Sequence, residues 1–470
     1  MYSQEVSPQG REKTKNLIST PYWLDSKNRP QPRPVFEGYC EADLVIVGGG
    51  FTGLWAAVEA AVQNPGQSVV ILEGGRIAGG ATGRNGGFVS ASLTHGFSNG
   101  LSRWPDEISR LVELGCRNLR EIEARIHEFG IDCDWIMSGE IDVAIASYQT
   151  ADLARLHEQL QEYGIPSELL DSREVRQRVD SPLYTAGLFD PHVAMVNPAE
   201  LAWGLARVAE QLGVKIYENS PVSSLTDQGS SVAVGVSQGV MKAQTVLLAT
   251  NAYPPLLRRL RHYLVPVYDY VLMTEPLTAD QKQSVNWKGR EGIGDSGNQF
   301  HYYRMTNTDR ILFGGFDAIY HSGNGMKPEF DVDHDCLARL ADHFSQTFPQ
   351  LSSVSFSHGW GGAIDTCSRF SAFWGTAHNG KTAYVAGYTG LGVGASRFGA
   401  LTCLDLLEGR STERTELAMV KTKPVPFPPE PIRSIGINWT TRSLHQADLH
   451  EGRRNLWLRF LDKLGMGFDS

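Results

Sequence analysis

Residues 43–53 read DLVIVGGGFTG, and this stretch decides the fold. The apolar run of residues 43–47 predicts a buried strand, and an apolar helix is predicted from about residue 54 to residue 62. Residues 68–72 form a second apolar run, with Glu73 at its end. A strand, a glycine-rich turn, a helix and a second strand predict a βαβ unit and therefore an α/β fold.

The glycines of this stretch match the GxGxxG pattern of dinucleotide-binding folds. Gly48 allows the tight turn, Gly50 lets the backbone approach a pyrophosphate, and Gly53 lets the helix pack close to the strand. Glu73 follows at the distance where an acid binds a ribose hydroxyl. A glycine-rich turn without a ligand is the alternative, but the flanking strand, helix and acid favour a nucleotide site. NAD and FAD both fit this unit.

Two further segments favour FAD over NAD. Residues 79–88, GGATGRNGGF, offer small residues, a cation and an amide donor to a long phosphate and ribityl tail. Residues 387–394, GYTGLGVG, precede a predicted helix whose N-terminus could stabilise the negative charge of a reduced flavin. A tight strand-to-helix connection is the alternative for this second segment. The predicted cofactor-binding residues are Gly48, Gly50, Phe51, Thr52, Gly53, Glu73, Gly74, Arg76, Ala81, Thr82, Arg84, Asn85, Gly86, Gly87, Phe88, Val222, Thr250, Gly387, Thr389, Gly390, Leu391, Gly392 and Val393.

Composition narrows the class of protein. A chain of 470 residues is longer than one hydrophobic core usually serves, so two joined domains are expected. The net charge of -9 argues against a nucleic-acid partner. The six cysteines form no CxxC pair and no His cluster has metal-ligand spacing, so no metal is predicted. With no signal peptide and no long apolar run, we expect a cytoplasmic protein with free thiols and no membrane span, as a monomer or homodimer.

Later elements are predicted from periodicity and turn residues. Asn197 is predicted to cap a helix that ends near Leu212. Residues 300–305 and 310–315 are predicted to pair as a hairpin. The other predicted elements are helices near residues 106–129 and 151–163, strands at 214–217 and 383–386, a helix ending near Leu407, a Pro-rich linker at 423–431 and a helix around 451–464.

Several segments carry a resemblance to a known family: residues 22–25, 43–53, 79–87, 197–198, 302–315, 360–362 and 386–394. Over about residues 20–410, the chain resembles the D-amino-acid-oxidase-like (DAO) superfamily of FAD-dependent oxidoreductases. Within it, the chain is most similar to γ-glutamylputrescine-oxidase-type amine oxidases. These cofactor motifs are specific to the superfamily and do not specify a substrate.

The resemblance implies a discontinuous, Rossmann-like FAD-binding domain of glutathione-reductase type and a second, mixed-sheet α+β substrate domain. The predicted boundaries are an N-terminal arm at 1–40, FAD-binding segments at 41–95, 195–255 and 356–410, substrate-domain segments at 96–194 and 256–355, and a C-terminal extension at 411–470. The implied reaction transfers hydride from the carbon beside an amine nitrogen to flavin N5. The imine hydrolyses to a carbonyl and an amine, and oxygen reoxidises the flavin to give hydrogen peroxide. A dehydrogenase that passes electrons to a carrier and a non-catalytic flavin-binding subunit remain alternatives.

Two family features are missing from the sequence. Amino-acid oxidases of this group carry a carboxylate-binding Arg at the position where this chain has Ile364, which disfavours a simple α-amino acid as substrate. The sarcosine-oxidase branch attaches its flavin to a Cys where this chain has a Gly. Cys367 lies close by but out of register, so non-covalent FAD is expected.

The family chemistry needs a neutral amine, which a dry aromatic pocket favours by desolvating the ammonium form. Tyr268, Tyr270, Tyr302 and Trp360 are predicted walls, although ordinary sheet packing is an equal alternative. The face of Tyr302 and Arg304 is predicted to face the pocket. A structural ion pair is the alternative for Arg304.

Two other features remain open in the sequence. His95 follows the 79–88 segment and could face the flavin, although a lone His more often has a structural role. Leu456, Phe460, Leu461 and Leu464 form an apolar stripe at helical spacing. Packing on the protein's own body is the first expectation for this stripe. A subunit contact or a membrane contact is the alternative.

Overall fold

In this computed structural model the structure describes residues 2–466. Residue 1 and residues 467–470, which belong to the predicted arm and extension, lie outside the described part. The helices described are α1 (Pro8–Thr14), α2 (Phe51–Gln63), α3 (Phe97–Arg103), α4 (Ile108–Glu128), α5 (Ser147–Glu162), α6 (Ser172–Arg178), α7 (Pro198–Gln211), α8 (Ala279–Val285), α9 (His334–Thr347), α10 (Gly392–Leu407), α11 (Ala418–Lys421), α12 (Ile432–Leu449) and α13 (Leu456–Lys463).

The strands form a first sheet of eight, a second of nine and a small pair. Those described are β1 (Gly38–Val47), β2 (Val69–Leu72), β3 (Phe88–Ser90), β4 (Glu140–Ala144), β5 (Glu168–Asp171), β6 (Ala186–Asp190), β7 (Val193–Met195), β8 (Lys215–Tyr217), β9 (Val222–Asp227), β10 (Val232–Val236), β11 (Gly239–Leu248), β12 (Val265–Thr274), β13 (Gly292–Asp295), β14 (His301–Met305), β15 (Ile311–Gly315), β16 (Ile319–Tyr320), β17 (Phe356–Thr366), β18 (Phe373–Ala377) and β19 (Thr382–Ala386).

The first sheet has the strand order β18-β19-β11-β1-β2-β8. β1 pairs in parallel with β2 and β11, β2 pairs in parallel with β8, and β11 pairs in parallel with β19. β2 and β19 are buried along their whole length, because helices and other segments cover both faces. The βαβ unit predicted from residues 43–72 is therefore present at the centre of this sheet.

Helices α2, α7 and α10 pack together beside the first sheet. The small residues Ala56, Ala57 and Ala60 are buried along α2, which allows the neighbouring helices to approach closely. Asn197 caps α7 as predicted, because its side chain accepts hydrogen bonds from the backbone N–H groups of Ala199 and Glu200.

The second sheet has the order β16-β12-β15-β14-β13-β4-β6-β5, and β17 also pairs with β12. The predicted hairpin is confirmed, since β14 and β15 pair antiparallel from His301 opposite Gly315 to Met305 opposite Ile311. One face packs on α9 through Phe313 and Phe344, whose ring centroids are 5.7 Å apart. The opposite face is left for a cavity between the two sheets. The chain is a mixed α/β protein, and the predicted domain boundaries stay predictions.

The first 40 residues differ from the predicted surface arm. They contain α1, and Tyr2 and Trp23 are buried. The Tyr2 hydroxyl hydrogen-bonds the Thr347 hydroxyl at 2.8 Å, and the Trp23 indole N–H donates to the Asn85 carbonyl at 2.9 Å. The prolines in this segment do prevent regular structure in part of it, but its aromatic residues fix the segment to the body of the protein.

The C-terminal extension also differs from its prediction. The helix expected around residues 451–464 is the shorter α13, and α12 was not predicted. Gly436, Asn438 and Thr440 lower the helix propensity of α12, so its sequence gives a weak signal. Its inner face packs with α13 through Leu444, Ala447 and Leu458. Within residues 2–466 no helix has the length and apolarity that crossing a bilayer requires.

Candidate functional site

The turn between β1 and α2 is built so that only glycine fits it. Gly48 has φ +111°, and a Cβ there would lie 2.4 Å from the Ala249 carbonyl oxygen. A Cβ on Gly53 would lie 1.9 Å from the Gly48 carbonyl oxygen. Gly50 precedes α2 without any side-chain cap on the helix N-terminus. The backbone at the positive end of the helix dipole is therefore able to approach an anion closely.

Glu73 stands at the end of β2, next to this turn. Its carboxylate accepts hydrogen bonds from the backbone N–H groups of Gly49 and Gly75, both at 2.7 Å. Burial raises the pKa of Glu73, and the two N–H donors oppose that rise. The carboxylate is thus fixed beside the glycine turn, and its contact with a ribose hydroxyl stays a prediction.

The segment 79–88 passes along the same cavity. Arg84 forms an ion pair with Asp331 at 2.9 Å and donates to the Gly361 carbonyl at 2.8 Å. The side-chain oxygen of Asn85 accepts from the Gly87 N–H, which holds the turn closed. Arg84 is therefore tied to the second sheet through the Gly361 carbonyl on β17.

The late glycine segment joins β19 to α10. The Gly387 N–H donates to the Asp365 carboxylate at 2.6 Å, and burial raises the pKa of Asp365 to about 6. A Cβ on Gly390 would meet nothing within 4 Å, so the segment is open at this point. α10 begins at Gly392, and Leu391 before it provides no side-chain cap. A second helix N-terminus therefore faces the cavity without a side-chain cap.

These segments enclose one cavity of about 1320 Å³. Most ligand pockets occupy roughly 300–1,000 Å³, so this cavity has room for more than a small substrate. The predicted cofactor-binding residues in its wall are Gly48, Gly50, Phe51, Thr52, Glu73, Gly74, Arg76, Ala81, Thr82, Arg84, Asn85, Gly86, Phe88, Val222, Thr250, Thr389, Gly390, Leu391, Gly392 and Val393.

The second sheet contributes an acidic and aromatic wall. The Tyr302 hydroxyl donates to the Asp269 carboxylate at 2.6 Å, and both residues line the cavity. Burial raises the pKa of Asp269 to about 6, although the Tyr302 hydroxyl and the Tyr270 N–H lower it. The rings of Phe88 and Tyr302 are nearly perpendicular, with centroids 5.9 Å apart. A carboxylate that titrates near neutral pH therefore lies beside an aromatic surface.

Glu140 and Asp142 form a second acidic group on the same face of the sheet. A Cβ on Gly294 would lie 3.0 Å from the Asp142 Oδ1 and 3.5 Å from the Glu140 Oε1, so the carboxylates converge over that glycine. Gly294 is directly opposite Tyr302 in the sheet register. Burial raises the pKa of both acids; repulsion from Asp142 adds to the rise for Glu140, and repulsion from Asp190 and Asp295 adds to it for Asp142. Glu140 lines the cavity, where a cation bound beside it would favour its ionised form.

His95 also lines the cavity, as the sequence allowed. Its Nδ1 has no hydrogen-bond partner among the described residues, and burial lowers its pKa to about 4. The imidazole is therefore neutral at physiological pH and can donate or accept one hydrogen bond in the cavity.

A family model described as DAO, FAD-dependent oxidoreductase, matches residues 43–403. The chain belongs to this family. Gamma-glutamylputrescine oxidoreductase of Escherichia coli (strain K12) is 31% identical over 420 residues, which is 87% of this chain and 92% of that protein. A probable oxidoreductase, OrdL, of Haemophilus influenzae is 30% identical over 388 residues, covering 79% and 84% of the two chains.

Solved structures share the fold. The crystal structure of glycine oxidase from Geobacillus kaustophilus superposes with a TM-score of 0.67 at 20% identity, covering 80% of this chain and 96% of that chain. As a member of the DAO family, the protein is an FAD-dependent oxidoreductase. The glycine turn without room for Cβ atoms, the adjacent Glu73 carboxylate and the size of the cavity all fit FAD.

Two of the five residues predicted to be catalytic lie in the cavity wall. Tyr302 and His95 belong to the described wall, whereas Arg304, Tyr270 and Trp360 do not. Arg304 is fully buried, where its Nη1 donates to the carbonyls of Val196 at 2.7 Å and Gly87 at 3.2 Å. Its guanidinium supports the 79–88 segment from behind, which favours a structural role, and its contact with substrate stays a prediction.

Tyr270 and Trp360 also lie outside the cavity wall, and their part in catalysis stays a prediction. Tyr268 and Tyr270 alternate with Asp269 and therefore lie on the opposite face of β12, where the Tyr270 hydroxyl donates to the Phe330 carbonyl at 2.9 Å. The Trp360 indole donates to the Arg84 carbonyl at 2.9 Å and is fully buried. These aromatic residues pack the protein interior.

Three predicted cofactor residues lie behind the wall. Gly53 packs on Gly48, as its predicted role requires. A Cβ on Gly87 would lie 2.2 Å from the Val196 carbonyl oxygen, and one on Gly387 would lie 2.9 Å from the Cys367 sulfur. These glycines allow close packing beneath the cavity and do not line it.

The sequence analysis missed Asp269, Glu140 and the helix α12. Along β12, Val265, Val267, Asp269 and Val271 share the cavity face. A single carboxylate inside an otherwise apolar strand was the available signal, because a buried acid needs a reason to be there. Glu140 gave no comparable signal.

Proposed function

We propose that the protein oxidises a cationic amine that lacks an α-carboxylate, using FAD held non-covalently. The supporting observation is one cavity that joins the glycine turn, Glu73 and the start of α10 to the Asp269–Tyr302 pair. In this proposal the parallel sheet and its helices form a Rossmann-like FAD-binding domain of glutathione-reductase type. The second sheet then forms the substrate side.

The predicted residues in the wall would divide the work of holding FAD. The Gly48–Gly53 turn and the N-terminus of α2 would bind the pyrophosphate, and Glu73 would bind a ribose hydroxyl. The N-terminus of α10 would stabilise negative charge on the ring system. When bound, FAD supplies an acceptor for the electron pair and hydrogen of the carbon beside the amine nitrogen.

The chain's thiols support non-covalent binding. The Cys367 thiol donates to the carbonyls of Ser371 at 3.2 Å and Gly387 at 3.4 Å. Burial raises the pKa of Cys367, so the sulfur stays protonated and is a weak nucleophile. Acid denaturation should therefore release all the flavin into the supernatant. Yellow colour that stays with the precipitated protein would contradict this part of the proposal.

The wall favours a cation as substrate. Asp269 would attract the ammonium group, and the neighbouring apolar residues Val267, Val271 and Ile364 would favour its neutral form by desolvation. The Asp269 Oδ2, which accepts the hydrogen bond from the Tyr302 hydroxyl, would receive the proton that the amine loses. Tyr302 and Phe88 would pack against the carbon chain.

The wall also argues against an α-amino acid. Ile364 lines the cavity at the position where amino-acid oxidases of this group are expected to carry a carboxylate-binding Arg, and Arg304 is not in the wall. A second cationic nitrogen beside Glu140 would favour the ionised form of this acid, whereas a carboxylate there would meet only acidic neighbours. The relative named gamma-glutamylputrescine oxidoreductase supports an amine donor at a distance from any α-carboxylate.

A panel of amines tests the proposal. Purified protein would be mixed anaerobically with n-hexylamine, 1,6-diaminohexane, N-alkylglycines and α-amino acids, and the flavin absorbance followed. We expect the diamine to bleach the flavin fastest and the α-amino acids to bleach it slowest. Air should then restore the colour, with one hydrogen peroxide and one carbonyl per amine oxidised.

Two results would change the conclusion. A flavin that no amine bleaches would refute amine oxidation. Bleaching without peroxide, with colour restored only by an artificial electron carrier, would assign a dehydrogenase. Asp269→Asn should slow bleaching at least a hundredfold, whereas Asp152→Asn on the exposed side of α5 is the matched control.

A further inference from the structure

The C-terminal cap, defined as residues 432–464 with α12 and α13, lies beyond the family match, which ends at residue 403. It exposes large apolar side chains to an unusual degree. Leu456 is 83% exposed, Ile435 62% and Ile432 61%. Soluble surfaces usually carry such residues singly, so a group of them on one short segment indicates an interaction surface.

The exposed apolar residues of the cap form one surface. Ile432, Ile435 and Trp439 recur at the spacing of one face of α12, and Leu456, Phe460 and Leu464 recur on one face of α13. Trp439 stacks on Trp457 with centroids 4.9 Å apart and planes at 3°, which joins the two helices. The inner faces of the helices are used for their mutual packing, so the outer stripe is free.

The charges of the cap are opposite to those of the rest of the chain. Residues 432–466 contain six Lys or Arg and three Asp or Glu, although the whole chain has a net charge of -9. Arg442, Arg453, Arg459 and Lys463 are exposed, whereas Glu451 is the one exposed acid among the described residues of this segment. The cap therefore combines an apolar stripe with a net positive charge, although Arg453 is loosely paired with Glu451 at 3.7 Å.

We propose that the cap docks the protein onto the surface of an anionic phospholipid bilayer. An amphipathic helix pair with Trp, Phe and Leu on one face and Arg and Lys around it is typical of an element that lies in the membrane interface. A second copy of this chain would fit the surface less well. The four exposed cations of its cap would lie against the same four cations of the first copy and repel them. An acidic lipid surface complements both the charge and the apolar stripe.

Docking would place the cavity mouth against the bilayer. Ile432, Phe460 and Leu464 are exposed and also line the cavity, so the docking stripe continues into the site. Apolar amines or electron acceptors that partition into the bilayer would reach the cavity without crossing bulk water. This inference concerns the surface alone and does not depend on which donor the site oxidises.

Vesicle co-sedimentation of the FAD-loaded full chain tests the proposal. We expect binding to phosphatidylglycerol vesicles at about 0.05 M salt, at least tenfold weaker binding to phosphatidylcholine vesicles, and release at about 0.5 M salt, where charges are screened. The double variant Ile435→Ser/Leu456→Ser should lose at least tenfold in partitioning. The matched control is Val240→Ser/Leu169→Ser, which removes two exposed apolar residues outside the cap.

Three outcomes would overturn the proposal. They are no binding to phosphatidylglycerol vesicles, equal binding to both vesicle types, and equal loss of binding in the control variant. A dimer detected by light scattering and abolished by Ile435→Ser/Leu456→Ser would assign the surface to a second copy instead. The FAD content and the Tm of each variant establish that it is folded. Arg453→Gln/Arg459→Gln tests the contribution of charge separately, because it leaves the apolar stripe intact.

Discussion

Asp269 shows how a single residue can carry both a structural cost and a chemical role. A carboxylate buried in the wall of an apolar cavity is disfavoured, and this burial raises its pKa to about 6. The Tyr302 hydroxyl and the Tyr270 N–H, both close to Asp269, partly offset the cost of holding the ionised form. With a pKa of about 6, the acid is mostly ionised above that pH and mostly protonated below it.

The rate of flavin reduction should follow this titration. If ionised Asp269 binds the ammonium, the rate falls as the pH falls through about 6. Tyr302→Phe removes a hydrogen bond that lowers the pKa of Asp269, so the midpoint should move upward by roughly one unit. Anaerobic stopped-flow measurements between about pH 5 and pH 9 give the midpoint. Tyr303→Phe is the control, because Tyr303 lies on the other face of β14 and forms a hydrogen bond with Tyr184. If the midpoint did not move in Tyr302→Phe, Asp269 would not be the group that titrates.

Glu73 allows a second prediction at the level of one side chain. Glu73→Gln keeps the shape of the residue but removes the charge that two backbone N–H groups and a ribose hydroxyl would share. The Kd for FAD should rise about tenfold to a hundredfold, measured by quenching of flavin fluorescence during titration of the apoprotein. Glu210→Gln, which changes an exposed acid paired with the largely buried Arg33, is the control and should leave the Kd unchanged. An unchanged Kd in Glu73→Gln would refute its role as a ribose ligand.

At the level of elements, local patterns predicted β1, α2 and β2 well because their chemistry is local. The glycine turn needs residues without Cβ atoms, and the sequence displays them next to the apolar runs. The cavity face of β12 could not be predicted in the same way. Alternation separates Tyr268 and Tyr270 from Asp269, but both faces of this strand are covered, so the pattern alone does not tell which side holds a ligand.

Long-range contacts explain the other differences. A strand face shared with Tyr302 predicts Arg304 in the pocket, yet the backbone carbonyls of Gly87 and Val196 approach it from distant parts of the chain. No local pattern reports such a partner. For α12, Asp448 provides one such distant contact, because its carboxylate accepts hydrogen bonds from Asn298 and from the Gln299 N–H. Tertiary contacts outweigh the low helix propensity there.

The cap should be separable from the FAD site. Deleting residues 429–470 removes α12 and α13 but keeps Leu417, Met419 and Val420, which belong to the main core. We expect the truncated protein to retain FAD and its Tm to fall by only a few degrees. Because the cap lines the cavity mouth, quenching of flavin fluorescence by iodide should increase several-fold. Loss of FAD, or quenching equal to that of the full chain, would show that the cap has a different role. Asp448→Asn weakens the attachment of the cap, so iodide quenching in this variant should lie between the values of the full and the truncated chain.

At the scale of the whole molecule, charge is distributed unevenly. The chain has a net charge of -9, yet the cap is basic, and the cavity holds Asp269 and Glu140. The net negative charge attracts a cationic substrate from a distance, and the acidic residues of the cavity concentrate it at the site. The basic cap at the mouth acts in the opposite direction, so the acids inside the cavity decide how strongly a cation is bound.

Ionic strength should therefore separate a dication from a monocation. Raising the salt from about 0.02 M to about 0.3 M shortens the screening length severalfold, so kcat/KM for 1,6-diaminohexane should fall about tenfold. The fall for n-hexylamine should be smaller, because it carries one charge instead of two. Glu140→Gln should lower the selectivity for the diamine and flatten its salt dependence, whereas Glu158→Gln, an exposed acid on α5, is the matched control. If both amines lost the same factor and Glu140→Gln behaved like the control, the acids of the cavity wall would have no part in recognising the second nitrogen. Amine oxidation itself would still be measured in the same assay by bleaching with n-hexylamine, so the recognition of charge and the redox reaction are tested separately.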